Sequence, residues 1–387
     1  MTRHLDGPAG LTEALVAGPR GRRLLMEFAR RSEQVHGVDQ EKRSFHLASF
    51  HAAYDLDPGK GRSVVMYVVG ADVEDGSAPD FGPAPTPAEC GDRLEGVHLA
   101  EPTEQLLVWC LADAAEAARY WQEHDGADVL GAQPEMQAGL RRVAEHLAGA
   151  PANAWWGTGI DLGAQWAVSW VDRPTDGPRP PTSEVLREAQ KRNTENERRA
   201  RRKWRKRPRD PRADVSGEWW SDPPFGVPSS TRELSDGSPV GLWVVEDSMG
   251  WERARTTRLS PLGSPRVYEI DTASAWADLC ARFPATVTAE KRHDWFRTTG
   301  RDGTWVVPDW VEVAEHYDAV HLQVSTYLSA AGTSIEVDHD SASVIAGWAP
   351  DETFWLSDAV HSAGASREWA GEDRGAEFRW WRADSAG

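Results

Sequence analysis

The sequence predicts an α+β protein: a mainly helical first half, a basic helical linker, and a Trp-rich second half where strands and helices mix. Three observations predict it. Through most of residues 8–148 apolar side chains recur at helical spacing. Beyond residue 215, short runs rich in Val, Trp and Tyr alternate with helical stretches, too irregularly for βαβ repeats. Between them, Arg187–Arg212 sets thirteen Lys and Arg against four acids, a net +9 in a chain of −18, so the remainder sums to −27. A chain of 387 residues suits two domains, each of roughly 150–200 residues. The expected units are 1–173 and 215–387, joined by a linker at 174–214 that is Pro-rich and then basic and helical.

Residues 8–34 read as two helices broken at Gly18-Pro19, the second with Leu24, Leu25, Phe28 and Ala29 on one face. Phe45–Tyr54 fits either period. A turn at Pro58-Gly59-Lys60-Gly61 leads into a strand, Ser63–Gly70, and Ala71–Pro87 reads as a loop. Helices follow at Thr103–Glu123 and about Pro134–Ala148, then strand-like runs at 154–156 and 165–171. Pro174–Pro181 breaks the chain before a helix from near Ser183 to Pro208. In the second half strands are expected at Val240–Glu246, Pro265–Ile270, Ala319–Leu328, Ser343–Gly347 and Thr353–Leu356, with helices at Ala273–Phe283 and Trp310–His316.

The linker helix shows almost no apolar face beyond Val185, Leu186 and Ala189. A helix polar all round is a solvated spacer, or this one contacts a polyanion such as nucleic acid, with Arg201, Arg202, Lys203, Trp204, Arg205 and Lys206 as the contacts. Composition excludes other classes. Cys90, Cys110 and Cys280 are scattered, with no CxxC spacing, which argues against a disulfide framework or zinc knuckle and for buried thiols. The Asp57–Ser63 turn lacks phosphate-loop spacing, and neither the His pairs nor Asp338-His339-Asp340 has the spacing of a metal site, so no metal is expected. No apolar run approaches the ~18 residues that span a bilayer, and the first residues lack the apolar core of a secretion signal. The expected location is the cytoplasm.

Twenty Trp residues, thirteen of them after the basic segment, can fill a core or line a groove that stacks planar ligands. Three C-terminal segments set carboxylates among aromatics: 241–254 with Glu246, Asp247 and Arg253; 306–322 with Asp309; and 347–356, where Trp348 and Trp355 bracket Asp351 and Glu352. A carboxylate between aromatic rings is desolvated and its pKa rises. Each segment alone also reads as a helix cap or a turn. Together they point to the second half as the place of a site.

The order WWS (219–221), SSTREL (229–234), PVGLWVVEDSMGW (239–251), VPDW (307–310), HYDAVHL (316–322) and AGWAPDETFWL (346–356) resembles a set of uncharacterised bacterial proteins similar in layout to ADP-ribosyltransferases. The resemblance covers about Glu218–Leu356. It implies NAD as cosubstrate, attack on its ribose C1, and departure of nicotinamide. It implies Glu352 or Asp351 as the catalytic carboxylate, Trp220 (with Ser221 beside it), Trp243 or Trp348 as the nicotinamide wall, and Arg232 or Arg253 at the diphosphate. The basic segment would bring a nucleic-acid acceptor; a protein acceptor is the other choice. The second half has neither a Ser-Thr-Ser strand nor a Gln-x-Glu or Glu-x-Glu pair of the well-marked transferases. The alternative is a non-catalytic regulatory or immunity-type protein whose acidic faces bind a basic protein partner.

Overall fold

The computed structural model describes residues 8–37, 44–60, 83–171, 180–205, 210–213, 217–248, 250–364, 366–373 and 378–383. The expected strand Ser63–Gly70, most of the 71–87 loop, the start of the Pro174–Pro181 break, Lys206 and Pro208 lie outside the described residues. The fold is α+β, as the sequence predicts.

The first half is helical: α1 (Pro8–Ala17), α2 (Pro19–Val35), α3 (Ser44–Leu56), α4 (Pro87–Gly96), α5 (Glu104–Glu116), α6 (Gly126–Gly131) and α7 (Gln137–Ala148). Pro19 at the first position of α2 costs no intrahelical hydrogen bond, and Leu24, Leu25, Phe28 and Ala29 are fully buried. Phe45–Tyr54, ambiguous by period, is α3. Trp155-Trp156, expected in a strand, lies in a 3₁₀ helix, Pro151–Gly157.

The strands are β1 (Gln165–Trp170), β2 (Ser229–Arg232), β3 (Arg253–Pro261), β4 (Val267–Ile270), β5 (Pro284–Thr286), β6 (Thr304–Pro308), β7 (Ala319–Leu322), β8 (Ile335–Glu336), β9 (Ser341–Ser343), β10 (Thr353–Trp355), β11 (Val360–Ser362), β12 (Arg367–Asp373) and β13 (Phe378–Arg382). One sheet runs β13-β12-β3-β1-β2-β10-β7-β4, with β11 also on β3; a smaller one runs β5-β6-β9-β8. Pairing in the large sheet is antiparallel except β4 with β7. The helices of the second half are α8 (Thr182–Trp204), α9 (Val240–Trp243), α10 (Ala273–Arg282), α11 (Thr288–Thr299), α12 (Trp310–His316) and α13 (Val324–Ala330).

Further expectations are corrected, Ser343–Gly347 among them, since β9 ends at Ser343 and no strand follows over 344–347. Val240–Glu246 is not a strand: its first four residues are α9, where the Gly241 N–H donates to Thr231 Oγ1 at 2.8 Å. Ala319–Leu328 is strand and helix, broken after Leu322; every residue from Ala319 to Leu328 is buried, which erases the period that separates the two. The break between halves is not a break in the core. β1, from the first half, lies between β3 and β2, and one apolar cluster runs from Leu24 and Leu111 to Tyr327 and Trp348. Gly18 sits so close to α13 that a Cβ there would meet Leu328 O at 2.4 Å.

Nor is α8 a solvated spacer. Leu186, Ala189 and Glu197 are buried, and Glu197 accepts from the first N–H groups of α11, Ala289 at 3.2 Å and Glu290 at 2.9 Å. Gln190 donates to both oxygens of Asp309, the N-cap of α12. Trp204 lies under the Arg292 guanidinium at 4.1 Å. The helix is pinned by polar contacts, which a scan for apolar periodicity does not see. The three cysteines are buried and unpaired, and burial pushes the Cys280 thiol up to about 12.

Candidate functional site

Two buried polar clusters stand out, and the sequence candidates divide between them. The first lies at the β2–β10–β7–β4 end of the sheet. Asp351 is 2% exposed and accepts from the Arg232 side chain (Nε, 2.6 Å) and from its backbone N–H (2.9 Å). His321 Nε2 lies 3.4 Å from the same carboxylate, and its Nδ1 is 2.6 Å from Glu269. Burial opposes a charge on His321, but hydrogen bonds to Asp351 and Glu269 outweigh it and raise its pKa to about 9. Arg232 also reaches Thr158 Oγ1 and Gly159 O, and its guanidinium lies over Trp155. Every partner here is spent inside the fold. Arg232, expected at a diphosphate, and Asp351, expected in catalysis, are instead an ion pair joining β2 to the turn before β10.

The second cluster gathers on the turn Gly347–Glu352. Segment 217–222 is fastened beside it: the Ser221 N–H donates to Ala346 O at 2.7 Å, and Ala346 N–H donates to Ser221 Oγ at 3.0 Å. Helix α11 holds the same segment from the other side, through Trp295 Nε1 to Trp219 O (2.7 Å), Lys291 Nζ to Glu218 O (3.0 Å) and Gly217 N–H to Asp294 (2.9 Å). Gly347 adopts φ +80° and is so crowded that a Cβ would lie 2.6 Å from Trp220 Cβ and 2.9 Å from Asp222 Oδ1; only glycine fits. Its N–H donates to Glu246 Oε2 at 2.6 Å, and the Ala349 N–H to Glu352 Oε2 at 3.3 Å. Asp222, Glu246 and Glu352 therefore converge on one turn.

Each of these residues is half-buried as a whole, but desolvation of the carboxyl group governs its titration. Burial, reinforced by the Glu352 and Glu246 carboxylates, holds Asp222 well above the usual range. Burial raises Glu246 to about 8 against the Tyr327 hydroxyl, the Gly347 N–H and Arg20. Burial likewise raises Glu352 to about 7 against the Ser229 side chain and the Ala349 N–H. Behind Glu246 the cluster continues through Tyr327 into the first half, to Tyr120 and Arg20, all three at most 1% exposed. Arg20 is bound to Asp128 and donates to Ala114 O.

A groove of about 500 Å³ opens beside this cluster, between α8 and the wall formed by segment 218–225, Lys291 and Trp310. Asp222 is the acid-cluster member on its wall; Glu352 stands one carboxyl group behind. Trp220 is 42% exposed and lines it, with Lys291 Nζ 5.9 Å from its ring. Ser221 is buried, lines the groove and fastens this strip to Ala346. The other expected residues are elsewhere. Trp348 is fully buried among Trp276, Trp310 and Phe354, and Trp243 is half-buried with its N–H on Ser238. Arg253 is exposed on β3, three strands from β10, roughly 14 Å away across the sheet. On α8, Arg201 lines the groove and pairs with Glu197, whereas Arg202, Lys203 and Arg205 are exposed beyond it. Glu246 stood among the carboxylates flanked by aromatics but was given no role, and Asp222, Lys291 and the Tyr pair were missed; for Asp222 the one sequence signal was its adjacency to the Trp-Trp-Ser run.

Because Glu246 is raised from 4.5 toward 8, the stability it contributes is complete below about pH 4.5 and is lost as pH rises through about 8. Glu246→Gln keeps an acceptor for the Gly347 N–H and removes this loss. Its Tm is expected to exceed that of the parent by several degrees at pH 8 and by little at pH 5. Equal melting at both pH values would place Glu246 in water. Protein-family models, curated proteins and solved structures offer no match to this chain, and among the described residues no helix is long and apolar enough to cross a membrane.

Proposed function

We propose that this chain is an ADP-ribosyltransferase-like enzyme that takes NAD into the groove beside α8 and releases nicotinamide. The observation that supports it is the convergence of Asp222, Glu246 and Glu352 on the Gly347–Glu352 turn, next to the exposed Trp220 ring. Carboxyl groups pushed to different pKa values divide the roles of proton holder and charge. Glu352, raised to about 7, ionises near neutrality, while Asp222 keeps its proton and donates to the ribose hydroxyls from the groove wall. The cluster's negative charge offsets the positive charge that grows on ribose C1 as the bond to the ring nitrogen lengthens. That bond's electron pair stays with nicotinamide, which leaves neutral; an acceptor hydroxyl bonds to C1 and gives its proton to Asp222 as Asp222 passes its own to the Glu352 carboxylate behind it. Trp220 supplies the flat wall, and the diphosphate role expected of Arg232 passes to the exposed Arg192 and Arg198 on α8.

Purified protein is expected to release nicotinamide from NAD, faster as pH rises through about 7. Glu352→Gln and Asp222→Asn should each lower the rate at least a hundredfold while keeping the parent's circular dichroism. No nicotinamide with any acceptor, together with no NAD binding by calorimetry, rules the enzyme out. The second reading is a non-catalytic regulatory or immunity-type protein that binds a basic partner. The charge of −27 outside Arg187–Arg212 favours it.

A further inference from the structure

We propose that the groove along α8 binds single-stranded nucleic acid, its phosphates on Arg192 and Arg198 and its bases on Phe225 and Trp220. Four observations carry this. Arg192 and Arg198 are exposed, line the groove and have no carboxylate partner among the described residues. The groove's carboxylates on and around α8 are already used: Glu197 holds the start of α11 and Arg201, and Asp309 caps α12 and takes Gln190. The local field on this wall is therefore positive although the chain is acidic.

The facing wall carries two rings held out in water. Phe225 is 83% exposed and Trp220 42% exposed, and both line the groove. The backbone that carries Phe225 is fixed. It sits in the turn Pro223-Pro224-Phe225-Gly226, closed by Val227 N–H to Pro224 O at 3.1 Å, with Gly226 at φ +101° facing Val185 of α8. Two prolines and a left-handed glycine fix that turn's shape, so the ring is presented at little entropic cost. An exposed ring of this size costs free energy in water unless a partner covers it.

Cations along one wall and flat rings along the other match a single strand, whose backbone and unstacked bases are both accessible. A duplex buries its base faces in its own stack and offers nothing to Phe225 or Trp220. An acidic peptide would use the arginines and leave the rings bare. From Leu186 to Arg201 the helix lines the groove over a rise of about 22 Å, enough for a strand of about four nucleotides, the short end of such sites. A strand there would cover Arg192, Arg198 and Trp220, so on the enzyme reading it competes with NAD for the groove; the binding itself does not require that reading.

The test uses the full chain without NAD. Anisotropy of a labelled twelve-nucleotide thymidine strand is followed from 50 to 200 mM salt, beside its duplex and a polyglutamate of equal charge. The expected result is binding of the strand that weakens about tenfold or more with salt, and weaker binding of duplex and polyglutamate. Arg192→Glu/Arg198→Glu should weaken it at least tenfold, and Phe225→Ala about tenfold, both surface changes that leave Tm unchanged. No binding at 50 mM salt overturns the proposal. So does equal binding of polyglutamate, or loss with the arginine pair but not with Phe225→Ala. Strand binding without nicotinamide release would leave this inference standing and remove the transferase.

Discussion

Asp351→Ala is expected to cost about 3–5 kcal/mol of folding free energy and to lower Tm by roughly 5–10 °C. Asp351 is 2% exposed and is the one carboxylate shared by Arg232 and His321. Without it, a guanidinium and an imidazolium face each other in a site that water does not reach, and the Arg232 backbone N–H loses its acceptor. Removing one partner of a buried pair leaves an uncompensated charge, and that penalty exceeds what the intact pair contributes. The backbone adds to it: Asp351 holds φ +63°, which Asp tolerates better than Ala does. The variant should also lose pH dependence. With His321 raised to about 9, its contribution is complete below its unfolded value of about 6.5 and lost as pH rises through about 9. Chemical denaturation at pH 6 and pH 9 measures both effects. An unchanged midpoint at pH 6 would mean that the network is solvated rather than buried.

What the sequence made legible, and what it hid, follows from burial. Helices with one dry face and a polar cap announce themselves: α12 starts where Asp309 caps it and matches the expected Trp310–His316, and α10 differs from expectation by one residue. Elements buried on every side carry no period. That is why Ala319–Leu328 read as one strand, and why α11 was missed altogether. In α11 the buried positions include Glu290, Lys291, Arg292 and Asp294, so a polar sequence hides an interior helix. Val240–Glu246 failed for a different reason. Its Val and Trp favour a strand, but Pro239 and the contact of Gly241 with Thr231 impose one turn of helix. The candidate site was half legible. Carboxylates among aromatics pointed to residues 347–356, and Glu352 does end the turn whose Gly347 packs against Trp220. Asp222, Glu246 and Lys291 arrive from three other segments, and no spacing in one chain predicts that meeting. Arg232 was misassigned because its type suited an anion, while its partner Asp351 was counted as a separate candidate.

Trp348 and Trp220 then offer a direct separation of core from site, because both were expected to touch a ligand and the fold treats them oppositely. Trp348 is fully buried against other rings: Trp276 at 6.1 Å, Trp310 at 6.0 Å and Phe354 at 5.2 Å between centroids, with its N–H donated to Glu352 O at 3.0 Å. Trp348→Ala removes that packing and empties a large cavity, so a loss of about 3–5 kcal/mol is expected, and the Glu352 turn should loosen with it. Trp348→Phe keeps a ring but drops the hydrogen bond, at about 1–3 kcal/mol, and at temperatures where it stays folded its affinity for NAD or for a nucleic-acid strand should equal the parent's. Trp220→Ala is the mirror case. It changes stability by no more than about 0.5 kcal/mol, since the ring is 42% exposed, yet should weaken ligand binding at least fivefold by removing a stacking face. Melting curves and binding isotherms on the same three preparations decide the matter. If Trp348→Phe binds as poorly as Trp220→Ala while melting like the parent, the groove lies on the wrong side of the Gly347–Glu352 turn.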